Sequence, residues 1–119
     1  MPATFSTEGK LSTVLHELDC SARNFVSIAR ERGIPISTGP FSQAMTGIRP
    51  FDVKLGRRLL EVARLMKTVR DEYQDIPIDW SQHERIALLL TLIVMRQVAQ
   101  EEGFEQLQRD VEEVIRQEQ

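Results

Sequence analysis

The chain has 119 residues, 41% of them hydrophobic, and carries a net charge of −3. That length allows one ordinary core with an appended element, and five prolines and six glycines are too few for a low-complexity chain. A lone cysteine, Cys20, excludes an internal disulfide and a multi-cysteine zinc site, and it fits a reducing compartment.

The N-terminal stretch Met1–Glu8 lacks the basic and apolar regions of a signal peptide. The most apolar run, Ile86 to Met95, is interrupted by Thr91 and falls short of the ~20 residues needed to cross a bilayer. A soluble cytoplasmic protein is expected. The charge is unevenly placed. Residues 1–72 hold 11 Lys+Arg against 8 Asp+Glu, whereas residues 73–119 hold 4 against 10. A basic half joined to an acidic half points to two jobs, or to an uneven surface without function.

In chain order, Leu11, Val14, Leu15 and Leu18 recur at helical spacing and predict a first helix near Thr7 to Asp19. A second follows Cys20, with Ser21 or Asn24 as its cap, Phe25, Ile28 and Ala29 as its apolar side and Gly33 as its stop. Ile34-Pro35-Ile36 reads as a turn, because Pro35 holds Ile34 extended. Ser37 or Thr38 caps a short third helix ended by Gly47, with Phe41 and Ala44 anchoring one side and Pro40 tolerated in the first turn. Asp52 caps a long fourth helix reaching about Tyr73. Its apolar face includes Val53, Leu59, Val62, Met66 and Val69, and Lys54, Arg57, Arg58, Arg64, Lys67 and Arg70 project mainly elsewhere. Asp75-Ile76-Pro77-Ile78-Asp79 breaks it and divides the chain into 1–74 and 75–119. Asp79 or Ser81 then caps a fifth helix to about Glu102, and after Gly103 a last amphipathic helix carries Phe104, Leu107, Val111, Val114 and Ile115. The fold class is all-α, a five- to six-helix bundle, and no segment alternates as a strand does.

The third helix, Phe41-Ser42-Gln43-Ala44-Met45-Thr46-Gly47, and its basic exit, Ile48-Arg49-Pro50, resemble the recognition-helix end of the lambda-repressor-like helix-turn-helix family. Ile28-Ala29 is similar to the Leu-Ala pair of that family's second helix, and the resemblance spans residues 9–72. The stretch from Ala29 to Ser42 is longer than the family's usual spacing, and Gly39 and Pro40 stand where the family often has base-reading side chains.

The resemblance implies a DNA-binding half whose third helix enters a major groove. Thr38, Ser42, Gln43 and Thr46 are then the candidate base readers, since Gln pairs bidentately with adenine and hydroxyls discriminate less. Arg23, Asn24, Ser37, Arg49, Lys54, Arg57 and Arg58 are the candidate phosphate contacts, together with the N–H groups at the start of the second helix. The plain alternative is that all these side chains simply solvate exposed helix faces.

His16 and Cys20 stand four apart on the first helix, but only His83 remains elsewhere to join them, so no metal site can be completed. No phosphate loop, nucleophile motif or distinctive carboxylate pair is present, which argues against an enzyme and against a cofactor. The fifth helix is apolar around its whole circumference from Ile86 to Met95. Either neighbouring helices enclose it or a second subunit covers one side, with Leu88, Leu89, Leu92, Ile93 and Met95 as the candidate dimer contacts. The acidic last stretch, with Glu101, Glu102, Glu105, Asp110, Glu112 and Glu113, can repel DNA, take a protein regulator or aid solubility. The expected function is a dimeric DNA-binding repressor of phage or bacterial type acting on a palindromic operator in double-stranded DNA. The alternative is a helical protein-interaction module, an antirepressor or inhibitor, that does not bind DNA.

Overall fold

The computed structural model describes residues 7–47, 50–74 and 76–118, and these form six α-helices and no strand. They are α1 (Thr7–Leu18), α2 (Ala22–Glu31), α3 (Thr38–Met45), α4 (Val53–Glu72), α5 (His83–Glu102) and α6 (Glu105–Gln117).

Short polar side chains start two of the helices. The Ser21 hydroxyl accepts the Asn24 N–H at 3.1 Å, and the Asp52 carboxylate accepts the Leu55 N–H at 3.3 Å. Each bond satisfies a donor with no partner inside its helix, a stabilisation of about 1 kcal/mol. α2 stops because Gly33 takes a φ of 84°, which lets the Ile34 N–H reach the Ala29 carbonyl at 3.1 Å and the Gly33 N–H reach Arg30 at 2.9 Å. These crossing bonds are the Schellman pattern, and they aim the chain into the turn before α3.

One boundary agrees with the sequence reading to within a residue, and one differs. α1 ends at Leu18 and Asp19 lies just beyond it at φ 53°, making the same kind of stop without a glycine. The Cys20 N–H then closes on the Leu15 carbonyl at 3.1 Å. α5 starts at His83 with Gln82 as its cap, instead of being capped by Asp79 or Ser81. The Asp79 carboxylate is already engaged by the Ser81 N–H at 3.0 Å, and the Asp79 carbonyl takes the Gln82 N–H at 3.2 Å. That closed turn delays the helix.

α5 sits centrally, against α2, α4 and α6, while α4 also packs on α1, and α3 packs on α1 and α2. Leu11, Leu15 and Leu18, Phe25 and Ile28, Leu59 and Met66, Leu90 and Ile93, and Val111 and Ile115 belong to one continuous core. The chain on either side of residues 75–79 therefore shares a single interior. Two buried hydrogen bonds stitch it across long sequence gaps. The Trp80 indole N–H donates to the Leu18 carbonyl at 2.9 Å, and the Tyr73 hydroxyl donates to the Ile115 carbonyl at 3.1 Å. No helix among the described residues is long and apolar enough to cross a membrane.

Ile115 lies near the end of α6, where carbonyls lack a full complement of intrahelical partners, so the Tyr73 bond secures α6 to the end of α4. Tyr73→Phe keeps the ring and removes only that donor. It should cost about 1 kcal/mol, read as a lower urea midpoint at unchanged m-value.

Candidate nucleic-acid interface

α3 is eight residues long, and its placement rests on one side chain. Phe41 is fully buried, with its ring centroid 5.6 Å from that of Phe25 and 5.7 Å from that of Phe51. Tilted aromatic pairs at this separation are favourable beyond their burial alone. Phe25 lies in the first turn of α2, and Phe51 directly precedes the Asp52 cap of α4. The stack therefore draws the N-terminal ends of α2 and α4 alongside α3. Ala44, 2% exposed, completes the inner side, and Met45 is half-buried. At the far end Gly47 turns the chain at φ 83°, where a side chain would be strained, and its N–H closes on Ala44 at 3.0 Å.

The exposed surface of α3 carries Thr38, Ser42 and Thr46 at intervals of four along one flank, Gly39 and Gln43 opposite Phe41, and Pro40 on the other flank. A Cβ added at Gly39 would meet nothing within 4 Å, so the approach over the first turn is open. The Thr46 hydroxyl donates to the Gln43 carbonyl at 3.1 Å, which leaves only its oxygen as an acceptor for a ligand. Ser37 caps α3 through its backbone, its carbonyl taking the Phe41 N–H at 3.1 Å, and its hydroxyl makes no capping bond.

At the start of α2, Arg23 is exposed and Asn24 half-buried. The Asn24 side-chain oxygen lies 2.9 Å from His83 Nε2, fifty-nine residues away on α5. In the tautomer with its proton on Nε2, His83 donates to that oxygen and leaves both amide hydrogens of Asn24 free for an external acceptor. The sequence reading missed His83 in this role, because nothing in a lone histidine announces a partner that far along the chain.

On α4 the cations divide by position. Arg64 pairs with Glu61 at 3.6 Å, Lys67 with Glu17 at 3.4 Å and Arg70 with Asp71 at 3.5 Å. Lys54, Arg57 and Arg58, in the first two turns of α4, are exposed and have no acidic partner among the described residues. The structure thus brings Thr38, Ser42, Gln43 and Thr46 together on one face, with the starts of α2 and α4 near it. Arg49, between α3 and α4, lies outside the described residues.

A cleft of about 470 Å³ runs between α1, the start of α2 and the end of α3, lined by Ser12, His16, Asp19, Cys20, Phe41 and Met45 among others. Burial, with the Asp19 charge adding to it, pushes the Cys20 thiol up to about 12. It is therefore a protonated, packed thiol at neutral pH. No group of three His, Cys, Asp or Glu among the described residues could hold a metal ion.

The five positions expected to meet a partner subunit separate cleanly. Leu89, Leu92 and Ile93 are enclosed within the chain's own core, at 3%, 8% and 2% exposure, because α2, α4 and α6 close over those sides of α5. Leu88 and Met95 remain exposed. Comparison with protein-family models, with curated proteins and with solved structures finds no match for the chain.

Phe41→Ala should destabilise the protein by about 3–5 kcal/mol, the range for emptying a buried aromatic site, measured by urea denaturation. At pH 8 the native protein should react with a disulfide thiol reagent far more slowly than the same chain in denaturant, since Cys20 is both enclosed and protonated. Equal rates would show that the α1–α2 corner opens freely.

Proposed function

We propose that this protein is a sequence-specific DNA-binding regulator, a dimeric repressor of phage or bacterial type that occludes its operator in the cytoplasm. The observation that carries the reading is the composition of the α3 face. A short helix anchored from behind by Phe41 and Ala44 presents Thr38, Ser42, Gln43 and Thr46, with Gly39 and Pro40 among them, in an arrangement that suits a major groove. The resemblance of Phe41 to Pro50 to the lambda-repressor-like recognition helix supports it, and so do Lys54, Arg57 and Arg58, exposed at the start of α4 and without an acidic partner among the described residues.

In this mechanism Ser42 and Gln43 read base edges, with Thr38 and Thr46 at the ends of the contact. Gln43 supplies the strongest discrimination because its amide can donate to and accept from one adenine. Arg23, Asn24, Ser37, Arg49, Lys54, Arg57 and Arg58 hold the backbone, and His83 orients Asn24. A homodimer places two such faces on the half-sites of a palindrome, roughly 34 Å apart. The occupied operator excludes polymerase, and no cofactor or catalytic step is required.

A second reading, a protein-interaction module that never touches DNA, draws on the acidic surface of α6 and the end of α5. Glu101, Glu102, Glu105, Asp110 and Glu113 are exposed there, and the same surface could take a protein regulator under the first reading.

Selection from a random duplex pool at low salt should enrich a palindrome, and Gln43→Ala combined with Arg49→Ala should abolish the enrichment. Binding should weaken linearly on a log–log salt plot. Replacing Lys54, Arg57 and Arg58 with Ala should reduce the slope by roughly 2–3 without changing the preferred sequence. No enrichment from a folded sample at low salt sinks the DNA reading and favours the second.

A further inference from the structure

We propose that the solvent face of the α5–α6 hairpin is the surface on which a second copy of this chain docks. Among the large hydrophobic side chains left exposed, Leu88 at 50%, Met95 at 39% and Val98 at 45% lie on α5, and Leu107 at 36% and Val114 at 38% lie on α6. On α5 the spacings are seven and three, and on α6 seven, so each set forms a stripe along one side of its helix.

The two stripes belong to one face. α5 turns back into α6 at Gly103, where the Phe104 N–H closes on Ala99 at 2.9 Å, and at the open end Arg85 pairs with Glu118. In that antiparallel register Val114 is level with Leu89 and Leu107 with Arg96. On α6 the buried row is Val111 and Ile115. The half-buried Gln108 and Glu112 fall on one side of that row, and Leu107 and Val114 on the other. On α5, Leu88 and Met95 adjoin the side that carries the buried Leu92 and Ala99. A polar edge bounds the face where the Arg32 guanidinium donates to the Thr91 hydroxyl at 2.8 Å.

The area fits a two-fold contact. At these exposures the five side chains present on the order of 400 Å² of apolar surface. A standard interface buries about 800 Å² per partner, a little over half of it apolar, or roughly 450 Å². A two-fold interface applies the same patch from both subunits, so one self-matching face is sufficient. α3 packs on α1 and α2, away from α6, so a dimer built this way leaves both α3 faces uncovered. The placement deepens the dimeric part of the proposed function but does not depend on DNA.

The test is the mass of the full chain in solution without DNA. The wild type should sediment as a dimer at micromolar concentration. Leu88→Glu with Met95→Glu should weaken the dimer by at least about a hundredfold while leaving the monomer folded with unchanged helicity, because a charge at the centre of an apolar contact loses its water. Leu107→Glu with Val114→Glu should do the same from the other helix. Leu89→Glu, which strikes the monomer's own core, should instead unfold the chain. A wild type that is monomeric at about 100 µM, weaker than the micromolar limit of standard interfaces, overturns the proposal and leaves the face to a different protein. Dimers that persist in both folded double variants overturn it as well. A dimer that forms as described but selects no duplex sequence counts only against the DNA reading.

Discussion

A helix whose middle, Ile86 to Met95, is apolar on nearly every side is unfavourable in water, and the need to enclose α5 shapes the rest of this chain. α2, α4 and α6 each close one side, and Leu90 and Ile93 become fully or almost fully buried. The acidic C-terminal segment therefore supplies the centre of the same core that positions the basic N-terminal segment. Removing it would strip α2 and α4 of a shared neighbour, so the two halves cannot be assigned independent stabilities.

From α5 the constraint passes outward to the α3 face. α5 meets α2 through the His83–Asn24 bond at one end and the Arg32–Thr91 bond at the other, which sets α2 parallel to it. α2 in turn holds α3 through Phe25 and Phe41, and Phe51 draws the start of α4 to the same aromatic stack. Apart from Asn24, whose amide hydrogens stay free, the side chains in these contacts face the interior or one another. Their effect is positional: the start of α4 is held to α3 through Phe51 and Phe41, while the polar groups of α3 and the cations of the first turns of α4 remain exposed. A ligand that binds them need not first break internal ion pairs on α4, unlike one that would use Lys67 or Arg70.

Much of the architecture was legible locally. Ser21 and Asp52 cap their helices as short polar side chains before apolar runs should, and Gly33, Gly47 and Gly103 stop helices where a positive φ is required. The end of α1 near Asp19 was legible, but the left-handed conformation of Asp19 was not, because a non-glycine residue enters that region only when its surroundings impose it. The start of α5 was misplaced for a related reason, since Asp79 can cap a helix or close a turn and the sequence does not rank the two. The α3 face was readable as a row of small polar residues, whereas the His83–Asn24 contact and the division of paired from unpaired cations on α4 were not.

The sequence by itself determined the six helices, their apolar sides and the polar character of the α3 face, because helix periodicity, caps and stops act within a few residues. Only the tertiary structure decided which apolar side chains of α5 are interior. Leu88 and Leu89 are adjacent and chemically identical, yet one is half exposed and the other almost wholly enclosed. Hydrophobicity is a property of the residue, but burial depends on where neighbouring helices stand, and a helix apolar all round offers no local signal of the side they leave open.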